Sequence, residues 1–350
     1  MPVAKRGYWA GVLLAVSLAI AQTGARRLPG PIIAGEGELF GGPFAVNVGP
    51  HSATVGWVTG NTKTPRAGKV TFNNLQPGTR YCYDFQADGK TIEGSFKTPP
   101  TGPAPFQFVV YGDTQSGHRV HRRIVDAILR TKPDFLIHTG DLVDNGKKTS
   151  QWKKFFEIER ALLRSAAFFP AAGNHERNSP LFFEFLQTVP YYSFDWGSAH
   201  FTILQTDFEN IPDPGFWQRQ LEWLEKDLAA NQNADLRFVA FHRPPYSAKK
   251  NRGINPNTVK FVPLFEKYNV TAVFSGHDHA YEHFLSNGIH YFVSGGGGGP
   301  LYDVDAPLPG ITLMLEKTAH FLKVSVDGKR ALLEAVTPGG RIIDHVELRG

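Results

Sequence analysis

A chain of 350 residues has room for a domain of about 200–250 residues and a smaller companion, and 41 % apolar with 20 % charged residues is globular composition. The net charge of +5 is scattered, with no basic run longer than Arg122-Arg123 or Lys249-Lys250. That gives weak attraction for anions and no nucleic-acid-binding footprint. Cys82 is the only cysteine, which excludes an intramolecular disulfide and an all-Cys metal site.

Residues 1–21 have the grammar of a signal peptide: Lys5 and Arg6, an apolar run at residues 11–20 (GVLLAVSLAI), then Ala19-Ile20-Ala21 as a small-x-small cleavage site. The apolar run is too short to cross a bilayer as a helix. No cysteine follows it for lipid attachment. The expected mature chain starts at Gln22, has no membrane anchor, and is secreted or periplasmic.

Residues 31–98 are strand-like throughout. Ala53, Val55 and Trp57 alternate with their neighbours, as do Tyr81, Tyr83 and Phe85. Between these runs, Leu75-Gln-Pro-Gly-Thr79-Arg-Tyr81-Cys-Tyr83 resembles the corner of fibronectin type III domains, where a Tyr hydroxyl ties a turn back to the sandwich. The segment is short for seven strands, so a trimmed sandwich with a packing or positioning role is expected. A Pro-rich linker, residues 99–105, closes it.

From residue 106 to 350 the grammar changes to strands alternating with helices. Residues 106–111 (FQFVVY) and 135–138 (FLIH) read as buried strands, and Val120, Ile124 and Ile128 recur at helical spacing between them. Helices are expected over 151–163 and 217–228, and strands over 168–172, 236–241 and 270–274. Strands and turns follow from Ile311 onward, with Val326-Asp327-Gly328 and Pro338-Gly339-Gly340 as turn signals. The β-α-β order predicts a layered α/β core.

Five polar clusters each follow an apolar strand: Gly112-Asp113-Thr-Gln115, Gly140-Asp141-Leu-Val-Asp144, Gly173-Asn174-His175-Glu176, Phe241-His242-Arg243 and Gly276-His277-Asp278-His279. Sites in α/β folds assemble at the carboxyl ends of strands, where loops converge on a rigid sheet. Asp, Asn and His are the oxygen and nitrogen donors that divalent metals take. One strand-terminal Asp is usually a cap or a turn residue, and a lone His such as His138 or His200 is usually structural. All five clusters in this order have few innocent explanations.

This order, GD, GD, GNHE, H and GHxH, resembles the calcineurin-like metallophosphoesterase superfamily. Gly173-Asn-His-Glu176, His242-Arg-Pro-Pro-Tyr246 and Gly276-His-Asp-His-Ala-Tyr-Glu-His283 are similar to its purple acid phosphatase branch. The resemblance implies a layered β-sandwich flanked by helices, preceded by the small all-β fibronectin type III-like sandwich. It implies two metal ions (Fe, Mn or Zn): Asp113 and His279 on the first, Asn174, His242 and His277 on the second, and Asp141 bridging both. It makes His175 the general acid, oriented by a neighbour such as Glu176, and places His283 against the phosphate.

The match departs from the family twice. Gln115 stands where calcineurin-like enzymes have His, and Asp144 where purple acid phosphatases have the Tyr that makes the iron–phenolate chromophore. Gln115, Asp144, His118, His121 or a water is left to complete the first metal. The resemblance implies a secreted phosphatase hydrolysing phosphomonoesters, with in-line attack by a metal-bound hydroxide. Phosphodiester cleavage of nucleotides or phospholipid head groups is the rival within enzymes, and a non-catalytic surface-binding module the rival outside them. The small-molecule substrate is not named by the sequence, nor is an oligomeric state.

Overall fold

Along the strand Phe106–Tyr111, Phe106, Phe108 and Val110 point to one side and Val109 and Tyr111 to the other, and all are buried. A strand buried on both faces lies inside a layered structure. The computed structural model describes residues 24–350, so the signal-peptide reading falls outside the described residues.

Among the described residues, this strand belongs to a nine-stranded sheet. Its order is Ile342–Arg349, Arg330–Val336, Phe321–Asp327, Phe106–Tyr111, Phe135–His138, Ala167–Pro170, Leu39–Val46, Ser52–Thr59, Arg66–Asn73. Phe106–Tyr111, Phe135–His138 and Ala167–Pro170 run parallel, each after a crossover of the kind α/β folds require. A second sheet of seven strands has Ala199–Ile203, Leu236–Ala240, Ala272–Ser275 and Ile289–Ser294 parallel at its centre. The sheets pack through aromatic rings: the Phe108 centroid lies 5.2 Å from Phe201, 5.6 Å from Phe238 and 6.0 Å from Phe274. Helices cover both outer faces. His118–Thr131 and Thr149–Leu163 place Ile124, Ile128, Trp152 and Phe155 against the larger sheet. Phe216–Ala230 and Val262–Lys267 place Leu224, Leu228 and Phe265 against the smaller one. The result is a β-sandwich flanked by helices, with a β-rich region at its N-terminal side. No helix among the described residues is long and apolar enough to cross a membrane.

The N-terminal strands join the large sheet. Leu39–Val46 pairs in parallel with Ala167–Pro170, with Ala45 opposite Ala167, so the sheet continues across the irregular backbone of residues 99–105. Alternation in Ser52–Thr59 suggests one buried face, yet both are buried. Ala53, Val55 and Trp57 pack inward, while Val58 joins Phe44, Phe156 and Phe185 on the helix side. The opposing layer is the hairpin Arg80–Ala87 and Lys90–Lys97. The Tyr81 hydroxyl accepts a hydrogen bond from the Gln76 N–H at 2.8 Å, whereas the Tyr83 hydroxyl is buried with no partner.

Candidate metal centre

The parallel strands of both sheets end on one edge, and each polar cluster follows such an end. Asp113, Asp141 and His277 leave their strands in the left-handed backbone region, with φ of 58°, 55° and 70°. Asp tolerates that region better than most residues; at His277 it is a strained turn that its surroundings must hold. Gly173 and Gly276, which precede Asn174 and His277, are there for space. A Cβ on Gly173 would overlap the Asp141 carboxylate, and one on Gly276 would overlap that of Asp113.

Asp141, His242 and His277 bring one donor atom each within 4.8 Å of one another. His242 Nε2 lies 3.2 Å from Asp141 Oδ2, 3.1 Å from Asn174 Oδ1 and 3.3 Å from His277 Nδ1. Its other nitrogen donates to the Thr139 carbonyl at 2.9 Å, which fixes the tautomer and aims the Nε2 lone pair at the cluster. His279 is held the same way, Nδ1 donating to the Pro300 carbonyl at 2.9 Å, with Nε2 3.4 Å from Asp113 Oδ1. The His277 N–H donates to both Asp113 oxygens at 3.0 Å, tying this second pair to the first trio. All six residues expected to hold metal therefore converge.

Burial opposes charge on His242, but Asp141 outweighs it and pushes the imidazole up to about 9. His277, buried beside it, is pushed far down by desolvation and by the charge of His242. Carboxylates that draw protons onto imidazoles suit a cation, and the Asp, Asn and His donors fit a divalent metal of borderline character.

His175 borders this cluster and is half-exposed. Its N–H donates to Asp141 Oδ1 at 2.8 Å, and its Nε2 is 3.9 Å from Asp141 Oδ2. The partner of its ring is Asp144: Nδ1 donates to the Asp144 carbonyl at 2.8 Å, with Asp144 Oδ1 at 3.5 Å. That corrects two expectations. Asp144 is turned to His175, not to a metal. Glu176 does not orient His175; its carboxylate, fully buried, accepts the N–H groups of Asp141, Gly173, Leu142 and Val143 at 2.7–3.3 Å. It clamps the two loops that carry Asp141 and Asn174.

His283 is also corrected. Along Tyr281–Ser286 the two-residue period puts it on the inner face with Tyr281. Its Nδ1 meets Asp344 Oδ2 at 2.8 Å and its Nε2 meets His290 Nδ1 at 2.9 Å. It cannot reach a phosphate from there. His121 is likewise committed, 2.6 Å from Glu159 Oε1 in a buried network that includes the Tyr111 hydroxyl.

Three features were missed in the sequence. The run Gly295 to Gly299 passes against the ligands, with the Gly299 N–H donating to the Asp113 carbonyl at 2.7 Å; a Cβ on Gly299 would press on the His279 ring. Five glycines in a row were the signal. Tyr302 stacks on His279 at 4.6 Å, donates to the His277 carbonyl at 2.8 Å, and carries Lys249 Nζ 3.6 Å from its ring centroid. Arg243 extends Nη1 to His277 Nε2 at 3.2 Å and pairs with Glu209 at 3.0 Å. Arg252 is paired with the buried Asp278, which leaves Lys249 as the cation of this group without an ion pair among the described residues.

The calcineurin-like phosphoesterase family profile matches residues 106–281. The chain belongs to this family. Among its relatives are an uncharacterised protein of Mycobacterium tuberculosis, 29 % identical over 266 residues (62 % of this chain, 50 % of the other), and a soybean (Glycine max) purple acid phosphatase, 28 % identical over 277 residues (68 % and 57 %). The chain thus spans about half the length of these curated relatives. A solved purple acid phosphatase from yellow lupin seeds matches in fold, with a TM-score of 0.72 at 20 % identity over 87 % of this chain and 73 % of that one. Family and donor set together imply bound metal ions.

Proposed function

We propose that this protein is an exported phosphatase that hydrolyses phosphomonoesters at a centre of two metal ions. The observation that carries the reading is the convergence of Asp141, His242 and His277, with Asp113, Asn174 and His279 beside them and His175 at the rim. Asp113 and His279 would hold one ion, Asn174, His242 and His277 the other, and Asp141 both. When bound, such ions act as Lewis acids on the phosphoryl group and supply a nucleophilic water near neutral pH.

The chain's own residues supply the rest. His175, its Nδ1–H held by the Asp144 carbonyl, presents Nε2 to the centre, where its proton can pass to the departing oxygen. Asp141 accepts the His175 N–H through one carboxylate oxygen and faces His242 with the other, so acid and ligands are set by one residue. Lys249 at the rim attracts an anionic ester. The strands before residue 99 support the sheet from one side, a positioning role. Export with cleavage after Ala21 belongs to the same reading, and the N-terminal mass of protein recovered from the medium or periplasm checks it.

The deciding experiment is metal analysis of the purified protein alongside a substrate pair. Hydrolysis of p-nitrophenyl phosphate is expected to stop on chelation, return with Mn²⁺ or Zn²⁺, and exceed that of bis-p-nitrophenyl phosphate. Preference for the diester would move the assignment to a phosphodiesterase. Undiminished hydrolysis after complete chelation would end the metal reading.

A further inference from the structure

The Asp113 side of the centre has one side chain that no structural role explains. Gln115 is 3 % exposed, and its N–H donates to the Asp141 carbonyl at 3.2 Å, which pins it beside the bridging residue. One end of its amide, Nε2, lies 3.1 Å from His279 Nε2. The other, Oε1, is buried with no hydrogen-bond partner. Leaving such an acceptor unpaired is costly, so a buried orphan in a site calls for a missing partner.

His279 Nδ1 already donates to the Pro300 carbonyl, so its Nε2 offers a lone pair toward Gln115. A half-turn of the amide about its terminal torsion exchanges its two ends and faces the oxygen toward the same point. A cation there would take both lone pairs. The amide nitrogen then takes the buried place that Oε1 leaves. The competing side chains are committed or remote. His121 is bound to Glu159, Asp144 faces His175, and His118 is exposed on the first turn of its helix.

We propose that Gln115, through its amide oxygen, is the fourth protein ligand of the ion on the Asp113 side. This rests on the two-ion reading above. The ligands around both positions then carry two formal negative charges, from Asp113 and Asp141. The other position is served by Asp141, one amide and two imidazoles, and this one by two carboxylates, one amide and a single imidazole. With so little ligand charge, the pair suits two divalent ions better than a trivalent one.

The test is titration of the metal-free protein with Mn²⁺, read by equilibrium dialysis and by the electron paramagnetic resonance of coupled Mn²⁺ pairs. Wild type is expected to take two ions of unequal affinity. Gln115→Ala should weaken one site by about tenfold or more, abolish the coupled signal at limiting Mn²⁺, and leave the other site unchanged. Gln115→Glu, the same shape with a charge, should tighten that same site instead. Thermal unfolding of the metal-free variants checks that both fold. If neither variant changes either affinity, Gln115 is no ligand and the two-ion reading stands. If wild type takes up fewer than two ions, that reading falls and this proposal with it.

Discussion

His175 donates from Nδ1 to the Asp144 carbonyl at 2.8 Å, and its Nε2 comes within 3.9 Å of Asp141. One nitrogen is thus anchored and the other is free to carry a proton to the centre. If His175 is the acid, its value depends on how badly the departing oxygen needs a proton. His175→Ala should slow alkyl phosphates about 10²–10⁴-fold in kcat and aryl phosphates of acidic phenols markedly less. A plot of log kcat against leaving-group pKa should be steeper for the variant, with metal content unchanged. Parallel lines would mean that His175 only positions the phosphate.

Metal stoichiometry tests the ligand assignment separately. In the proposed assignment Asp141 would serve both ions and His242, 3.2 Å from it, only one. Asp141→Ala should lose both ions and nearly all activity, and His242→Ala should keep about one. Equal, full occupancy in the two variants would contradict a bridging Asp141.

Away from the centre, His200 is a titratable brace between sheet and helix. It is 2 % exposed, with Nδ1 2.7 Å from Asp195 and Nε2 3.0 Å from Asp227. Burial lowers its affinity for a proton, but the two carboxylates more than compensate and push it up to about 9. Because the folded value lies above the ordinary one near 6.5, the stabilisation is complete below that pH. It is lost as pH rises through about 9, and amounts to about 2–3 kcal/mol. Melting temperature measured from pH 6 to 10 should fall more steeply for wild type than for His200→Gln. Parallel curves would show that His200 carries no net proton on folding.

The N-terminal strands should be indispensable to folding. Phe44 stacks on Phe156 at 5.7 Å and Phe40 meets Phe185 at 5.9 Å, so removal would bare the aromatic face of Thr149–Leu163 and an edge of the large sheet. A fragment starting at residue 106 should show no cooperative thermal unfolding by circular dichroism. Phe44→Ala in the whole chain should cost about 3–5 kcal/mol. A fragment that melts cooperatively near the full-length temperature would make the N-terminal region a separable module.

Legibility followed the range of the forces involved. Helices at His118–Thr131 and Thr149–Leu163 and the strands between them were readable because their faces repeat at 3.6 or 2 residues. The donors were readable because each is a short polar cluster at a strand end. Val262–Lys267 and Pro180–Leu186 were not, being too short to show a period. Nor was the burial of both faces of Ser52–Thr59, since Phe156 and Phe185, which cover the second face, lie about a hundred or more residues away.

By itself the sequence determined which residue types stand at the ends of which strands, and therefore that Asp113, Asp141, Asn174, His242, His277 and His279 can meet. Strand alternation and glycine spacing act within a few residues, and both are written in the chain. Only the tertiary structure decided what each remaining group faces. Asp144 turns to His175, Glu176 clamps the backbone of its neighbours' loops, and His283 turns to Asp344 on the other sheet. A side chain's direction depends on the strand phase that carries it and on partners up to 61 residues distant, and neither is visible in a local motif.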